Sequence, residues 1–402
     1  MKEKVLVLGA GIQGISCALA LRASGYAVTL LDQCHEPFSR TSFCGEAKIH
    51  LGYVYANDSS FQTASLLLKA AMHFAPLLDR WTDNQLPWAD LCSTPFTYVV
   101  HRNSMLAPDA LIAHYNRIGD QYQEYKLGGL HYLGQHPEQL LVKSQALPAS
   151  LNPDFAQASI QTQETALHTA EFGPLLSQIV KQKGVCLRMN RKIESVERTA
   201  SGFRVRGRRP DGTSWSEEGG IVVNCLWDGR LQIDASLGIK PARNWVYRLK
   251  YRLLGHLPIT MKIKASYTVV LGPFGDLVTY PNGLTYVSWY PTCMRGWSTE
   301  LQPPPEWEAA NPGPQNVDQI PWLAEALQEF NAIFPGLRHF EVKKVDAGVI
   351  FSWGETDIDD PVSELHRRYN IGVNSFDGYF SIDTGKFTCA PMFARELLDY
   401  LS

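Results

Sequence analysis

Side chains able to do chemistry are crowded between Ser39 and His50, in the stretch SRTSFCGEAKIH, which holds hydroxyls, a glycine, the Glu46 carboxylate, the Lys48 ammonium and the His50 imidazole. An imidazole has a reference pKa near neutrality, so His50 is the candidate for taking a proton. The segment upstream says what that proton would serve. Gly9-Ala-Gly11-Ile-Gln-Gly14 follows directly on Val5-Leu6-Val7-Leu8, an apolar run of the kind that forms a strand covered on both faces. Gly9 permits the tight strand-to-helix turn, Gly11 lets the backbone approach a pyrophosphate, and Gly14 lets the helix pack close to the sheet. The phosphates would rest on the helix N-terminus, whose unpaired N–H groups and dipole favour negative charge. Ile15, Ala18 and Leu19 continue on one helix face, Gly25 ends the helix, and Val28 to Leu31 make a second strand finishing at Asp32. Asp32 is placed to accept from ribose hydroxyls and disfavours a 2'-phosphate, which sets NADP aside and leaves FAD and NAD open.

The rest of the chain must position these groups. A chain of 402 residues, 45% hydrophobic, can bury a large core and should form about two domains. The net charge of -3 gives no footing for nucleic acid or an anionic membrane. No uncharged apolar run could span a bilayer, and the N-terminal apolar segment reads as the first strand rather than a signal peptide. The eight cysteines, Cys17, Cys34, Cys44, Cys92, Cys186, Cys225, Cys293 and Cys389, are scattered and include no C-x-x-C. That pattern points to a reducing cytoplasm and no metal site.

Helical spacing in FQTASLLLKAAMHFAPLLDRW puts Leu66, Leu67, Ala70, Phe74 and Leu77 on one side. A strand is expected at Phe96 to His101, a helix from Pro108, and a crossing between domains in the Pro-containing stretch near 136 to 153. Beyond Glu164 come a helix, short strands around an Asp211-Gly212 hairpin, and an apolar strand from Ile221 to Cys225. Residues 242 to 300 alternate as strands with an Asn282-Gly283 turn, which predicts an antiparallel sheet. LQPPPEWEAANPGPQ reads as a surface loop, WLAEALQEFNAIFP as a helix, and the segment from Tyr369 as strand, polar glycine loop and helix.

Four segments, in order, are the glycine motif, SRTSFCGEAKIH, IVVNCLWDG and TGKFTCAP. Together they resemble the glycine oxidase and D-amino-acid oxidase superfamily of FAD-dependent enzymes, the DAO family. The second is similar to that family's flavin loop, the third to its V-V-N-A-A-G-A-W, and the fourth to its G-H-G-F-T-L-A-P. The resemblance favours FAD over NAD and implies an α/β chain. A discontinuous Rossmann-like FAD-binding domain (1–80, 155–228 and 336–402) would be roofed by an antiparallel-sheet substrate domain of α+β type (81–154 and 229–335). It implies that Gly9, Gly11, Ile12, Gln13, Gly14, Asp32 and Gln33 hold the ADP half of a non-covalent FAD. Arg40, Thr41, Ser42 and Lys48 would line the run toward the flavin, the Val196 backbone would meet adenine, and Cys225 would border the cofactor. Gly385, Lys386, Phe387 and Thr388 would lie at the flavin pyrimidine edge, where a helix N-terminus and an ammonium stabilise reduced flavin.

The implied reaction is hydride transfer from a carbon bearing nitrogen to flavin N5, with oxygen or another acceptor reoxidising the cofactor. Oxidation of a C–O bond in a hydroxy acid or alcohol is the alternative, and a flavin-binding role without redox chemistry a third. His50, Lys48, Arg295 and Tyr280 are the candidate catalytic residues, with Tyr53, Tyr55 and Trp289 as further pocket candidates. Gly348-Val349-Ile350-Phe351 stands where the family typically places an arginine on the substrate carboxylate. A buried carboxylate without a cation is strongly unfavourable. The expected substrate is therefore an amine larger than a free amino acid or otherwise decorated, or an amino group on a biosynthetic intermediate, unless Arg248, Lys250 or Arg295 supplies the missing charge.

Overall fold

The computed structural model describes residues 3–261, 263–310 and 317–402. Among these residues the strands form sheets of six, nine and three. The six-stranded sheet grows from β1 (Lys4–Leu8) and β2 (Ala27–Leu31), joined by helix α1 (Ile12–Ala23). Val5, Leu6, Val7 and Leu8 are fully buried, as an apolar run with elements on both faces must be. β1 lies in parallel between β2 and Ile221–Asn224, with Val5 opposite Val28 on one side and Ile221 on the other. Tyr379–Asp383 extends the sheet in parallel, Gly372–Phe376 pairs antiparallel beyond it, and Cys186–Arg188 closes the other edge beside β2. The last segment is thus two strands around a turn before its helix, Ala390–Tyr400, rather than one. Gln13 Nε2 donates to the Ala390 carbonyl at 3.1 Å, which ties the start of α1 to the start of that last helix.

The nine-stranded sheet forms the second layer. Its long strand, Trp245–His256, pairs antiparallel with Glu341–Trp353 along nearly its whole length, and with Met294–Ser298 and Thr285–Trp289 on its other side. Gly275–Thr279 and Ser266–Val270 follow, then Phe96–His101, Ala156–Thr162 and Leu141–Gln145. All these pairs are antiparallel except Ser266–Val270 with Phe96–His101, which run parallel. Two segments that the boundaries at 155 and 336 assign to the nucleotide side, Ala156–Thr162 and Glu341–Trp353, hydrogen-bond into this sheet instead. The stretch near 136 to 153, expected as a crossing, contributes its edge strand. Lys192–Thr199, Gly202–Arg208 and Ser214–Gly219 make the three-stranded sheet, with the hairpin turn at Asp211-Gly212.

The helix Gln62–Thr82 buries Leu67, Ala70 and Phe74 as its spacing predicts, but Leu66 and Leu77 are only half-buried. Leu68, Ala71, Ala75 and Leu78 are buried in their place, because the helix packs across a broader face than one stripe. Of the Pro-rich stretch from Leu301, residues 305–310 wind into a short 3-10 turn, and 311–315 lie outside the described residues.

Candidate active site

The glycine-turn end of the site is built by backbone geometry. Gly9 has φ +93°, a conformation in which a Cβ would lie 2.8 Å from the Cys225 carbonyl oxygen. A Cβ at Gly14 would lie 1.7 Å from the Gly9 carbonyl oxygen, so only glycine lets α1 approach β1 this closely. Gly11 lies at the N-cap of α1 and offers no capping side chain; the Ile12 amide donates to Ser42 Oγ at 2.9 Å, drawing the 39–50 segment over the helix start. Asp32 accepts from the Ala10 amide with one carboxylate oxygen and from the Cys34 amide with the other, both at 2.7 Å. Each oxygen keeps lone pairs for further donors. A single cleft runs from this turn past the flavin loop to the 384–387 loop.

Gly9, Gly11, Ile12, Gln13, Asp32 and Gln33 line that cleft, as do Arg40, Thr41, Ser42, Lys48, His50, Cys225, Gly385, Lys386 and Phe387. The fit to FAD is good: a glycine cradle, an anion-ready helix start and an acid at the end of β2 open on one continuous cleft. Arg40 donates to Asp228 at 2.5 Å within it, and that carboxylate holds the guanidinium pKa up against burial. Gly14 and Thr388 stand behind the cleft wall. Thr388 Oγ accepts from the His50 amide at 2.9 Å and donates to the Lys48 carbonyl at 3.2 Å, fixing the backbone of the two loop residues.

Several expected residues are elsewhere. The Val196 amide donates to Ser236 Oγ at 3.0 Å and its carbonyl accepts from the same hydroxyl, so Ser236 occupies that backbone, while Lys192 and Ile193 of the same strand reach the cleft. Arg295 is exposed, its guanidinium 5.8 Å from the Trp322 ring, on the outward side of its strand. Tyr280 is buried with its ring 4.4 Å from that of His168. Tyr53 packs on Tyr98 and Tyr115, and Trp289 on Phe330. Tyr55 meets the His50 ring edge-on at 6.3 Å and stands 5.7 Å from the Lys386 ammonium.

At the inner end, Lys48 donates to Thr268 Oγ1 at 2.6 Å and to Asp276 Oδ1 at 2.9 Å, and lies 3.5 Å from Glu46. Burial pulls the Lys48 pKa down, but Asp276, Glu46 and Glu164 outweigh it and the net direction is up. Burial favours the neutral form of Asp276 too, yet Lys48 and Lys250 lower its pKa to about 2. Burial and the nearby Asp276 push Glu46 above the usual carboxylate range, against Lys48, Lys250 and Lys386. One oxygen of Glu46 has no hydrogen-bond partner.

His50 does line the cleft, but not with the near-neutral pKa that made it a candidate. Burial, then Lys386, Lys48 and Arg368, hold its pKa well below the usual value, so the ring is a neutral imidazole. Its Nε2 lies 3.9 Å from Glu46 Oε1, and its unpaired Nδ1 lies 3.8 Å from Glu164 Oε1. Glu164 is a residue the sequence reading missed. It is fully buried, accepts from the Tyr98 hydroxyl, and accepts from the Leu51 amide at 2.5 Å. Burial pushes its pKa up to about 7 against the pull of Lys48 and these hydrogen bonds.

Tyr286 and Arg368 also line the cleft and carry no motif. Arg368 donates to the Gly385 carbonyl at 2.9 Å and to the Phe351 carbonyl at 3.1 Å, tying the 384–387 loop to the second sheet. Among the described residues no group of three His, Cys, Asp or Glu side chains is arranged to hold a metal ion, and no helix is long and apolar enough to cross a membrane.

A mostly parallel sheet whose glycine turn opens on a cleft roofed by a second, largely antiparallel sheet fits a flavin-dependent oxidoreductase. The family of FAD-dependent oxidoreductases known as DAO matches residues 4–397, and the chain belongs to it. The enzyme is accordingly an FAD-dependent oxidoreductase. It is 24% identical over 319 residues to a D-amino acid dehydrogenase of Bradyrhizobium diazoefficiens, covering 68% of this chain and 73% of that one. Its fold is similar to that of glycine oxidase from Geobacillus kaustophilus, with a TM-score of 0.68 at 12% identity over 99% of this chain and 94% of the other. It is also similar to that of L-alpha-glycerophosphate oxidase from Mycoplasma pneumoniae, with FAD bound, with a TM-score of 0.66 at 13% identity over 100% and 95%.

Proposed function

We propose that this enzyme oxidises a C–N bond of a small-molecule amine. The observation that carries the reading is that one cleft joins the dinucleotide turn to an inner end holding Glu46, a neutral His50 and several ammonium groups. The likeness to a D-amino acid dehydrogenase supports it. A bound FAD, held by the glycine turn, Asp32 and the 384–387 loop, would supply the hydride acceptor. The chain's own part is to deliver an amine in its neutral form, since an ammonium nitrogen has no lone pair to support loss of hydride from its carbon. Glu46 and His50 both line the cleft, Glu46 keeps one oxygen without a partner and His50 Nε2 lies 3.9 Å from the other, so the pair can take the ammonium proton. Lys48, locked to Thr268 and Asp276, holds the loop that presents both. Lys386 brings positive charge to the cleft, suited to the charge that a reduced flavin carries.

Gly348, Val349 and Ile350 give that end an uncharged wall where a guanidinium would otherwise stand, which favours an amine larger than glycine. Under anaerobic conditions, N-substituted and larger amines are expected to bleach the flavin band faster than glycine or D-alanine. Faster bleaching by a 2-hydroxy acid or an alcohol would replace this reading with C–O oxidation. The electron acceptor is taken to be oxygen or a substitute for it. All eight cysteines are unpaired, which supports a reducing compartment such as the cytoplasm.

Attachment of the cofactor is proposed to be non-covalent. Cys44 borders the cleft, but burial pushes its thiol up to about 12, so it is not the thiolate that bonding to a flavin methyl requires. Acid precipitation is expected to leave the yellow colour in the supernatant and a chain of unmodified mass. A flavin-sized mass increment that vanishes in Cys44→Ala would show the opposite.

A further inference from the structure

We propose that the segment 302–308 is part of the cofactor site, a strap across the adenosine half of FAD that sets how fast the cofactor leaves. The proposal rests on the glycine turn holding that half and is independent of which bond the flavin oxidises. Gln302, the prolines at 303, 304 and 305, Trp307 and Glu308 line the same cleft as Gly9, Gly11 and Asp32. Yet the segment springs from the roof. It leaves the nine-stranded sheet at the end of Met294–Ser298, and its root is tied to the long roof strand: Trp245 Nε1 donates to the Glu300 carbonyl at 3.1 Å and the Tyr247 hydroxyl to the Leu301 carbonyl at 3.5 Å. Trp307 keeps that hold further out. A Cβ at Gly296 would lie 2.5 Å from the Trp307 ring, so the missing side chain lets the indole lie on that strand, and the ring packs against the cluster that holds Leu249, Val349 and Ala310.

The far end reaches the nucleotide side. Glu308 pairs with Lys192 at 3.3 Å, and Lys192 follows Arg191, whose amide donates to the Asp32 carbonyl at 2.7 Å. The Glu308 charge also acts on Arg40, whose guanidinium pKa is held up by Asp228 against burial, with Cys34, Asp32 and Glu308 adding to it. Both facts set Glu308 near the acid at the end of β2. The segment therefore crosses from the roof to the three-stranded sheet over the part of the cleft where ribose hydroxyls would meet Asp32. Its composition suits that place. Three successive prolines fix φ and leave little backbone freedom to lose on ordering, and a proline run with an indole offers flat apolar surface of the kind on which a base rests. The Lys192 and Glu308 side chains are both more than half exposed, so their pairing is weak and can open. It fastens the strap without locking it.

The test dilutes the FAD-loaded enzyme at low ionic strength and follows the rise of flavin fluorescence as FAD leaves. Trp307→Ala is expected to release FAD about tenfold faster or more, since a wall of the cleft is gone. Glu308→Lys sets two ammonium groups together and should speed release about three- to fivefold, an effect that shrinks at high salt. The double exchange Lys192→Glu/Glu308→Lys should return to within about twofold of the parent, which loss of an unrelated structural contact would not do. Should Trp307→Ala fail to fold, the exposed Glu308 and Lys192 positions still decide the matter. Parent-like release from Glu308→Lys, or a double exchange that releases as fast as that single variant, would overturn the proposal. The flavin absorption band should keep the parent's shape in every variant; a shifted band would put the strap at the flavin ring and overturn its assignment to the adenosine half. Gly14→Val tests the turn separately, so parent-like release in the strap variants beside a colourless Gly14→Val strikes the strap alone.

Discussion

Gly14→Val is expected to emerge from gel filtration colourless. The Cβ position at Gly14 lies 1.7 Å from the Gly9 carbonyl oxygen and 2.9 Å from its carbonyl carbon, both backbone atoms that cannot swing aside. To admit a side chain, α1 must lift from β1, and the turn that carries Gly9, Gly11 and the Ile12 amide moves with it. Overpacking of this kind costs about 1–3 kcal/mol or more, and here the strain falls on the segment proposed to cradle the pyrophosphate. FAD occupancy, read as flavin absorbance per chain, should drop to near zero, with a lower Tm because bound cofactor no longer stabilises the fold. Gly25→Ala is the control. Gly25 also has a positive φ, +86°, but a Cβ there meets nothing within 4 Å, so it should cost only the conformational penalty of about 1–2 kcal/mol and keep the flavin. Full FAD retention in Gly14→Val would show that the β1–α1 turn does not hold the cofactor.

The contrast between these two glycines shows what local sequence can carry. The β1–α1–β2 unit was legible because its demands are local: an apolar run, glycines at the turn, and an acid at the end of β2. Partners of other strands were not. Ala156–Thr162 and Glu341–Trp353 read as strands, yet a strand's pattern declares which face is buried and not which strand it joins. Alternation also explains the misplaced candidates. Tyr280 lies just beyond its strand with its ring on His168, and Arg295 points outward beside Trp322. Lys250 entered only as one of three substitutes for a missing arginine. The register that sets Gly348 opposite it, and the Asp276 carboxylate 4.0 Å from it, are long-range facts. Glu164 sits in the polar stretch QTQET, which gives no hint of burial. Its environment is assembled from Tyr98, Tyr115, Tyr132 and Lys48, all distant in the chain.

Glu164 gives the second large effect, a pH-dependent one. Burial raises its pKa from 4.5 in an unstructured chain to about 7 in the fold. Between those values the folded protein keeps a proton that the unfolded chain has released, so this group's contribution is fully present below about pH 4.5 and is lost as pH rises through about 7. At about 1.4 kcal/mol per unit, the loss amounts to roughly 3 kcal/mol. Glu164→Gln removes the titration while keeping the shape. The amide oxygen can accept from the Leu51 N–H, and the amide nitrogen can donate to the Tyr98 oxygen, the same two partners that the carboxyl meets. The variant is expected to match the parent enzyme at pH 5 and to exceed its stability at pH 8, so that the difference between their Tm curves opens through neutrality. Other groups titrate in both proteins and cancel in that difference. The same ionisation places a negative charge 3.8 Å from His50 Nδ1, which strengthens the imidazole as a base just where the proposed reaction needs one. The anaerobic rate of flavin reduction in the parent enzyme should therefore rise through about pH 7, and that rise should flatten in Glu164→Gln. Parallel Tm curves for the two proteins from pH 5 to pH 8 would mean that Glu164 keeps its charge in the fold, and would remove it as the source of any change in His50.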